Sequence, residues 1–132
     1  MRYFGAFVGA MILALTALFM PAVSRADTPV STIPLCEIER SLTIGANGED
    51  VRCLQRYLNW SGMTLATTGA GSPGLESTYF GPLTANAVAR WQIANAAYVL
   101  SPAGLTTGTG YFGPISFGHY VKLVRTALLG SA

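Results

Sequence analysis

A six-residue pattern occurs twice in the chain, and the two copies are 32 positions apart: Tyr79–Thr84 reads YFGPLT and Tyr111–Ser116 reads YFGPIS. In each copy an aromatic pair precedes Gly-Pro. Proline is favoured at the first position of a helix, because the N–H that it lacks would have no acceptor within the helix there. An apolar side chain just before a helix can pack against its first turn. A solenoid needs about three or more repeats. Two copies therefore predict a compact bundle with two similar helix entries.

Apolar residues at helical spacing predict three helices joined by glycine-rich loops. The first spans about Glu49–Trp60 and begins with two acidic residues, which suits the positive end of the helix dipole. The second begins at Pro82 and the third at Pro114, and Gly118 within the third costs about 1 kcal/mol relative to alanine. The apolar stripes are Val51, Leu54 and Leu58; Leu83, Ala87, Val88, Trp91 and Ala94; and Phe117, Val121, Val124 and Leu128. The sequence thus predicts an all-α fold, a small three-helix bundle.

Residues 1–26 have the pattern of a secretory signal peptide. Arg2 supplies the positive start, an uncharged run follows at Phe4–Met20, and Ser24 and Ala26 are small residues that suit a cleavage site. The run lies at the lower limit of the about 17–25 residues that cross a bilayer, so an uncleaved membrane anchor is the alternative. Both interpretations predict an extracytoplasmic protein, secreted or held in the cell envelope.

The charge of the chain excludes one class of partner. The 8 Lys and Arg residues exceed the 6 Asp and Glu residues, which gives a formal net charge of +2. Arg2 and Arg25 of the predicted signal peptide account for the whole excess, so residues 27–132 are close to neutral. Charged residues are only 11% of the chain, against about 25% in an average soluble protein. Nucleic-acid binding needs a basic surface, so nucleic acid is not an expected partner.

Cys36 and Cys53 are the only cysteines of the chain. Export would place both in an oxidising compartment, where a disulfide is expected. The bridge would close a loop of about 18 residues and would contribute about 3 kcal/mol by the chain-entropy estimate. A redox-active pair is the alternative, although its spacing differs from that of Cys-x-x-Cys.

Three motifs, in this order and at this spacing, resemble the peptidoglycan-binding-like domain family. The family pattern reads G-x-x-G-x-D-V-x-x-L-Q-x-x-L, then (F/Y)-G-x-x-T-x-x-A-V-x-x-(F/W)-Q, then a second G-x-x-(T/S). The matching residues are Gly45, Gly48, Asp50, Val51, Leu54, Gln55 and Leu58; Phe80, Gly81, Thr84, Ala87, Val88, Trp91 and Gln92; and Gly113 and Ser116. The resemblance covers about residues 41–124 and implies a small three-helix bundle.

The resemblance also implies a function, which is attachment to bacterial cell-wall peptidoglycan without catalysis and without a cofactor. The expected partners are the glycan or the stem peptide, with a separate wall enzyme or an envelope protein as further candidates. Membrane contact is expected only through an uncleaved signal segment. An envelope protein-interaction or surface-structural module on the same bundle is the alternative function. The expected organisation is a signal peptide (1–26), a linker segment (27–40), the domain (41–128) and a tail (129–132).

Aromatic and cationic side chains are the candidate ligand-binding residues. Aromatic rings can stack on sugar rings, and arginines can pair with stem-peptide carboxylates. The candidates are Tyr57, Trp60, Tyr79 and Tyr98 among the aromatic residues and Arg52, Arg56 and Arg90 among the arginines. Loop anchoring and an ordinary solvated face are the alternative roles. Gln55 and Gln92 could bind ligand amides, but bonding to a neighbouring loop is the preferred interpretation.

Few residues of the chain could carry catalysis. His119 is the only histidine, whereas zinc enzymes usually use more than one, so a structural or surface role is expected. A carboxylate pair could hydrolyse glycosides, but Glu49 and Asp50 are better explained by the helix dipole. The sequence therefore predicts no catalytic residue and no metal site, and a small wall hydrolase is the third hypothesis.

Overall fold

The computed structural model describes residues 32–130, which contain four helices and one 3₁₀ turn. The helices are α1 (Glu49–Trp60), α2 (Pro82–Ala94), α3 (Ala96–Val99) and α4 (Pro114–Gly130), and the 3₁₀ turn is Ser101–Ala103. Isolated β-bridges but no β-strands occur in these residues. No helix in this part of the chain is long and apolar enough to cross a membrane. The predicted signal peptide lies outside the described residues.

The predicted all-α class is confirmed, but the number of helices is four and not three. Helices α1, α2 and α4 begin at the predicted residues, and the short α3 follows α2 after Asn95. The Asn95 side chain donates to the carbonyl oxygen of Trp91 at 2.8 Å, which satisfies an acceptor at the end of α2. The sequence analysis assigns the segment that forms α3 to a glycine-rich loop, although Asn95, a residue type favoured at helix N-caps, directly precedes it.

The chain just before α1 joins the two copies of the repeat. Leu42 exchanges both backbone hydrogen bonds with Phe112, each at 2.9 Å. The Gly45 N–H donates to the carbonyl oxygen of Phe80, and the Phe80 N–H donates to that of Ala46, again at 2.9 Å. Both phenylalanine side chains are fully buried. Each aromatic residue before a helix is therefore held through its backbone as well as through its ring.

The loop before α4 lies directly on the backbone of α2 at two glycines. A Cβ at Gly108 would overlap the backbone of Ala89, and a Cβ at Gly110 would lie 2.9 Å from the carbonyl oxygen of Ala85. Gly110 also has a φ of 73°, which glycine adopts at little cost. Because both positions lack a side chain, the loop reaches α2 and comes within hydrogen-bonding distance of its last turns.

Trp91 of α2 is the largest side chain of the core, as predicted. It is 2% exposed, and its ring lies 6.2 Å from that of Tyr57 and 5.7 Å from that of Phe112. The indole N–H donates to the Tyr57 hydroxyl at 3.3 Å. Helix α1 and the entry to α4 therefore both pack against one aromatic side chain.

Three residues predicted to belong to the apolar stripes, Leu83, Ala94 and Leu128, are exposed instead. Leu83 is 49% exposed, because its neighbour Thr84 occupies the buried side of the first turn and bonds to Gln55. Leu128 is 52% exposed, because the last buried residue of α4 is Val124 and the end of the helix extends past the core.

Residues 32–40, which belong to the predicted linker segment, form no helix or strand and pack on the bundle. Ile33 and Ile38 are buried at 8% and 6% exposure. Tyr120 of α4 holds this segment, since its hydroxyl accepts from the Cys36 N–H at 2.7 Å and donates to the carbonyl oxygen of Pro34 at 2.8 Å.

The predicted disulfide between Cys36 and Cys53 is confirmed. It joins the N-terminal segment to α1, with the two Cα atoms 5.5 Å apart. The segment is thus fixed to α1 by a covalent bond and to α4 by a tyrosine hydroxyl.

Reduction of this disulfide is expected to lower the free energy of unfolding by about 3 kcal/mol, because the bridge closes a loop of about 18 residues in the unfolded chain. Urea unfolding with and without reductant measures the difference. The Cys36→Ala, Cys53→Ala double variant is the control. Its stability should equal that of the reduced protein and should be the same with and without reductant. A change below about 1 kcal/mol would contradict this prediction.

Candidate functional site

Gln55 on α1 holds the loop that leads into α2. Its Nε2 donates to the carbonyl oxygen of Tyr79 and to the hydroxyl of Thr84, both at 2.9 Å. Its Oε1 accepts from the Ser77 N–H at 2.7 Å. The side chain is 1% exposed, so this buried amide has hydrogen-bond partners at both ends, as buried polar groups require.

Gln92 on α2 repeats this arrangement with the loop that leads into α4. Its Nε2 donates to the carbonyl oxygen of Tyr111 at 2.7 Å and to the hydroxyl of Ser116 at 3.1 Å. Its Oε1 accepts from the N–H groups of Thr109 at 2.8 Å and Gly110 at 3.1 Å. We call these two arrangements the Gln55 clamp and the Gln92 clamp. They confirm the structural interpretation of both glutamines.

A groove lies between the Gln92 clamp and the start of α4, and we call it the α4 groove. Its volume is about 360 Å³. Its walls are mainly apolar and include Val99, Leu100, Ala103, Leu105, Tyr111 and Ile115. Leu105, Tyr111 and Ile115 are between 41% and 46% exposed, so these walls are open to solvent. Concave apolar clefts with a few polar groups are typical of small-ligand sites.

The N-terminal end of α4 forms one end of this groove, since Pro114 and Ser116 also line it. The first N–H groups of a helix have no acceptor within the helix, and they carry a partial positive charge. Pro114 has no N–H, so the first-turn donors at this end are the N–H groups of Ile115 and Ser116. The lining of the groove as a whole is almost entirely apolar.

A second cleft of about 400 Å³ adjoins the α4 groove, because Pro114 and Ile115 line both. We call it the Tyr98 cleft, and its further lining residues include Tyr98, Pro102, Gly118, His119 and Lys122. Tyr98 is 67% exposed. The two clefts thus form one continuous surface around the first turns of α4.

The His119 ring packs against one face of the Tyr98 ring. The two rings stack at a centroid distance of 4.9 Å with an interplanar angle of 8°. Because the Asn95 amide nitrogen donates to Trp91, the Asn95 oxygen is the acceptor for His119 Nε2 at 2.9 Å. Burial, and to a smaller extent the charge of Lys122, lowers the pKa of His119. The His119 ring is therefore held in position by Asn95 and in turn supports the ring of Tyr98.

None of the three predicted arginines lines the α4 groove or the Tyr98 cleft. Arg52 pairs with Glu49 on α1 at 2.9 Å. Arg90 donates to the carbonyl oxygen of Thr64 at 2.7 Å and so fastens the loop after α1. Arg56 is exposed on α1. Two of the three guanidinium groups are thus bonded within the protein.

Tyr57 was predicted as a surface residue, and this prediction is wrong. The side chain is 2% exposed, and its ring packs edge-on against Tyr120 at 4.6 Å. The reason is its position three residues after Leu54, which places both on the core face of α1. Burial raises the pKa of the Tyr57 hydroxyl.

The other predicted aromatic residues are exposed, at 41% for Trp60, 50% for Tyr79 and 67% for Tyr98. They belong to different elements, and Tyr98 alone among them lines either of the clefts described above. Tyr111 was not predicted as a ligand-binding residue, although the repeat makes it the equivalent of Tyr79. The rest of the groove depends on the packing of α3 and the 3₁₀ turn, which no local sequence signal indicates.

Two carboxylates near α1 are held by hydrogen bonds. Arg40 donates to both oxygens of Asp50, at 2.8 and 3.1 Å, and this bonding lowers the pKa of Asp50. Burial raises the pKa of Glu76, but hydrogen bonds from Asn59 and from the N–H groups of Glu76 and Gly74, together with the charge of Arg56, outweigh it and leave the pKa lowered. A glycosidase acid needs a raised pKa, which neither group has.

In the described part of the chain no three His, Cys, Asp or Glu side chains cluster to hold a metal ion.

Residues 47–97 match the protein family described as "Putative peptidoglycan binding domain". Over this part, which is less than half of the 132 residues, the chain is similar to the peptidoglycan-binding domain family. The matched residues run from just before α1 into α3 and include both clamp glutamines, whereas residues 98–124, which the sequence resemblance also covered, lie outside the match. Comparison with curated proteins and with solved structures gave no match.

Removal of the amide in the Gln92 clamp is expected to destabilise the domain strongly. Gln92→Met keeps the side-chain length but leaves the N–H groups of Thr109 and Gly110 and the carbonyl oxygen of Tyr111 without their partner. Each buried unpaired group costs about 1–3 kcal/mol, so a loss of about 2–5 kcal/mol is expected in urea unfolding. Asn86→Met, at an exposed position of the same helix, is the control and should change stability by less than about 0.5 kcal/mol.

The Arg40–Asp50 pair predicts a specific dependence of stability on pH. The folded-state pKa of Asp50 is lowered, so its contribution is present above the ordinary carboxyl pKa and is lost as the pH falls through the folded value. Asp50→Asn should therefore lose stability at pH 7 and should show a weaker decline on acidification. Thermal unfolding from pH 7 to about pH 2.5 measures both effects. Arg40→Gln should behave like Asp50→Asn, and Glu39→Gln, an exposed carboxylate, should retain the wild-type profile.

Proposed function

We propose that the protein is an exported, non-catalytic module that binds bacterial peptidoglycan through the α4 groove. The observation that carries the proposal is this solvent-open apolar groove of about 360 Å³, built directly onto a domain whose residues 47–97 match the peptidoglycan-binding family.

The chemistry of the groove suits a wall fragment. Peptidoglycan carries the methyl groups of N-acetyl, lactyl and alanine units together with carbonyl and carboxylate oxygens. The side chains of Leu105, Tyr111 and Ile115 can cover methyl groups, and a tyrosine ring can pack on a sugar face. The N–H groups of Ile115 and Ser116 in the first turn of α4 can donate to one of the oxygens.

Selectivity would come from shape and not from long-range charge, because residues 27–132 are close to neutral. No Lys, Arg, Asp or Glu side chain lines the groove. We therefore expect binding to persist at moderate salt, since screening weakens only the attraction between separated charges.

Three features support a binding role without catalysis. The carboxylates of Asp50 and Glu76 are bonded and have lowered pKa values. The imidazole of His119 is stacked and hydrogen-bonded. The two cysteines form a disulfide, which is the state expected of an exported protein and agrees with the signal-peptide pattern of residues 1–26.

A matched pair of variants tests which surface binds. Tyr111 and Tyr79 occupy equivalent repeat positions, their carbonyl oxygens are both held by a clamp, and their exposures are 46% and 50%. Tyr111→Ala should lower the affinity for purified sacculi about tenfold in co-sedimentation, the effect of losing a central aromatic contact. Tyr79→Ala should leave the affinity within about twofold, because its ring lies outside the groove.

Tyr111→Ala and Tyr79→Ala also test the candidate binding residues predicted from the sequence alone, which include Trp60, Tyr79 and the three arginines. A loss of binding in Tyr79→Ala and in Trp60→Ala, with Tyr111→Ala unchanged, would assign binding to that surface. Failure of the folded wild-type protein to sediment with sacculi would contradict peptidoglycan binding and favour an envelope protein-interaction module.

A further inference from the structure

Gly118 occupies the interior of α4, where a glycine costs about 1 kcal/mol relative to alanine. Packing does not explain it, because a Cβ at this position would meet no atom within 4 Å. The contrast with Gly108 is direct, since a Cβ there would overlap the backbone of α2. The equivalent position of the first repeat holds Asn86. Gly118 therefore borders open space, and no close packing contact requires a glycine at this position.

The space that Gly118 keeps open is the Tyr98 cleft, which it lines. One face of the Tyr98 ring is covered by His119 at 4.9 Å, and the side chain as a whole is 67% exposed. His119 is fixed in turn by Asn95 at 2.9 Å and by the ring of Trp91 at 5.8 Å. The cleft thus contains a Tyr98 ring that is supported on one face, next to a helix position that has no side chain.

Lys122 gives the cleft its charge. It lies four residues after Gly118, and residues at this spacing are neighbours on one helix face. No acidic side chain lines the cleft, and within residues 32–130 Lys122 takes part in none of the ion pairs. A ligand with an anionic group at this end would supply the opposite charge.

We infer that the Tyr98 cleft binds a pyranose ring that carries a carboxylate-bearing substituent, with the ring on Tyr98, its edge over Gly118 and the carboxylate at Lys122. This inference rests on the proposed function, since the amino sugar of peptidoglycan that bears the stem peptide has this combination. The cleft meets the α4 groove at Pro114 and Ile115, so one ligand can extend across both.

Gly118→Ala separates a binding role from a structural one. The variant should be more stable than the wild type in thermal unfolding, because alanine is the better helix former. Its affinity for a soluble disaccharide-tetrapeptide should fall about tenfold or more, the usual effect of one methyl group in a shaped site. A variant that gains stability and keeps its affinity would overturn the inference, and so would one that loses stability.

Lys122→Gln tests the anionic part of the ligand with a surface substitution that leaves the fold intact. Its affinity for the disaccharide-tetrapeptide should fall about two- to fivefold, the value of an exposed charge pair, while its affinity for neutral chitotetraose should stay unchanged. Arg125→Gln removes the same charge one turn further along α4 and is the matched control. Equal effects of the two substitutions, or an equal loss for both ligands, would overturn the carboxylate assignment.

The wild-type protein distinguishes failure of this inference from failure of the proposed function. Wild-type binding to sacculi that Tyr111→Ala reduces and Gly118→Ala does not would leave the α4 groove as the site and would reject the Tyr98 cleft. A folded wild type that binds neither sacculi nor the disaccharide-tetrapeptide would overturn both.

Discussion

The buried amide of Gln92 is the interaction on which the candidate site depends. One side chain of α2 binds three backbone groups of the following loop, at Thr109, Gly110 and Tyr111, and also the hydroxyl of Ser116 in α4. Each of these buried groups would cost about 1–3 kcal/mol if it lost its partner, so the loop cannot shift without a large penalty. The α4 groove is therefore formed before any ligand arrives, which removes the cost of ordering it on binding.

The two halves of the molecule share this clamp but differ in the loops that it holds. After α1, Asn59 donates to the carbonyl oxygen of Gly71 and accepts from the Leu65 N–H, both at 3.0 Å, and Leu65 is buried. After α2, the chain instead forms α3 and the 3₁₀ turn and leaves Leu105 41% exposed. The repeat thus supplies the scaffold and the second loop lines the candidate site, in keeping with the general placement of binding sites on loops.

Sequence reasoning succeeded where the signal was local and failed where packing decided the outcome. Proline and glycine marked the starts of α2 and α4, and the cysteine pair and both glutamines had local chemistry that restricted their roles. Tyr57 was misplaced because its aromatic character was weighed above its helical spacing. Leu83 was misplaced because its neighbour Thr84 bonds to Gln55 and takes the buried side. The residues that line the α4 groove all fall within 92–116, but the groove forms only when α3 packs against α2 and α4, and no local pattern in the sequence shows that packing.

The central claim is that peptidoglycan fragments bind around the start of α4. Titration of the ¹⁵N-labelled protein with a soluble disaccharide-tetrapeptide, followed by amide chemical shifts, tests it most directly. The account predicts that the largest shift changes fall within residues 98–122, with small changes in α1. Changes confined to α1 and the neighbourhood of Tyr79, or no changes at millimolar ligand, would contradict it.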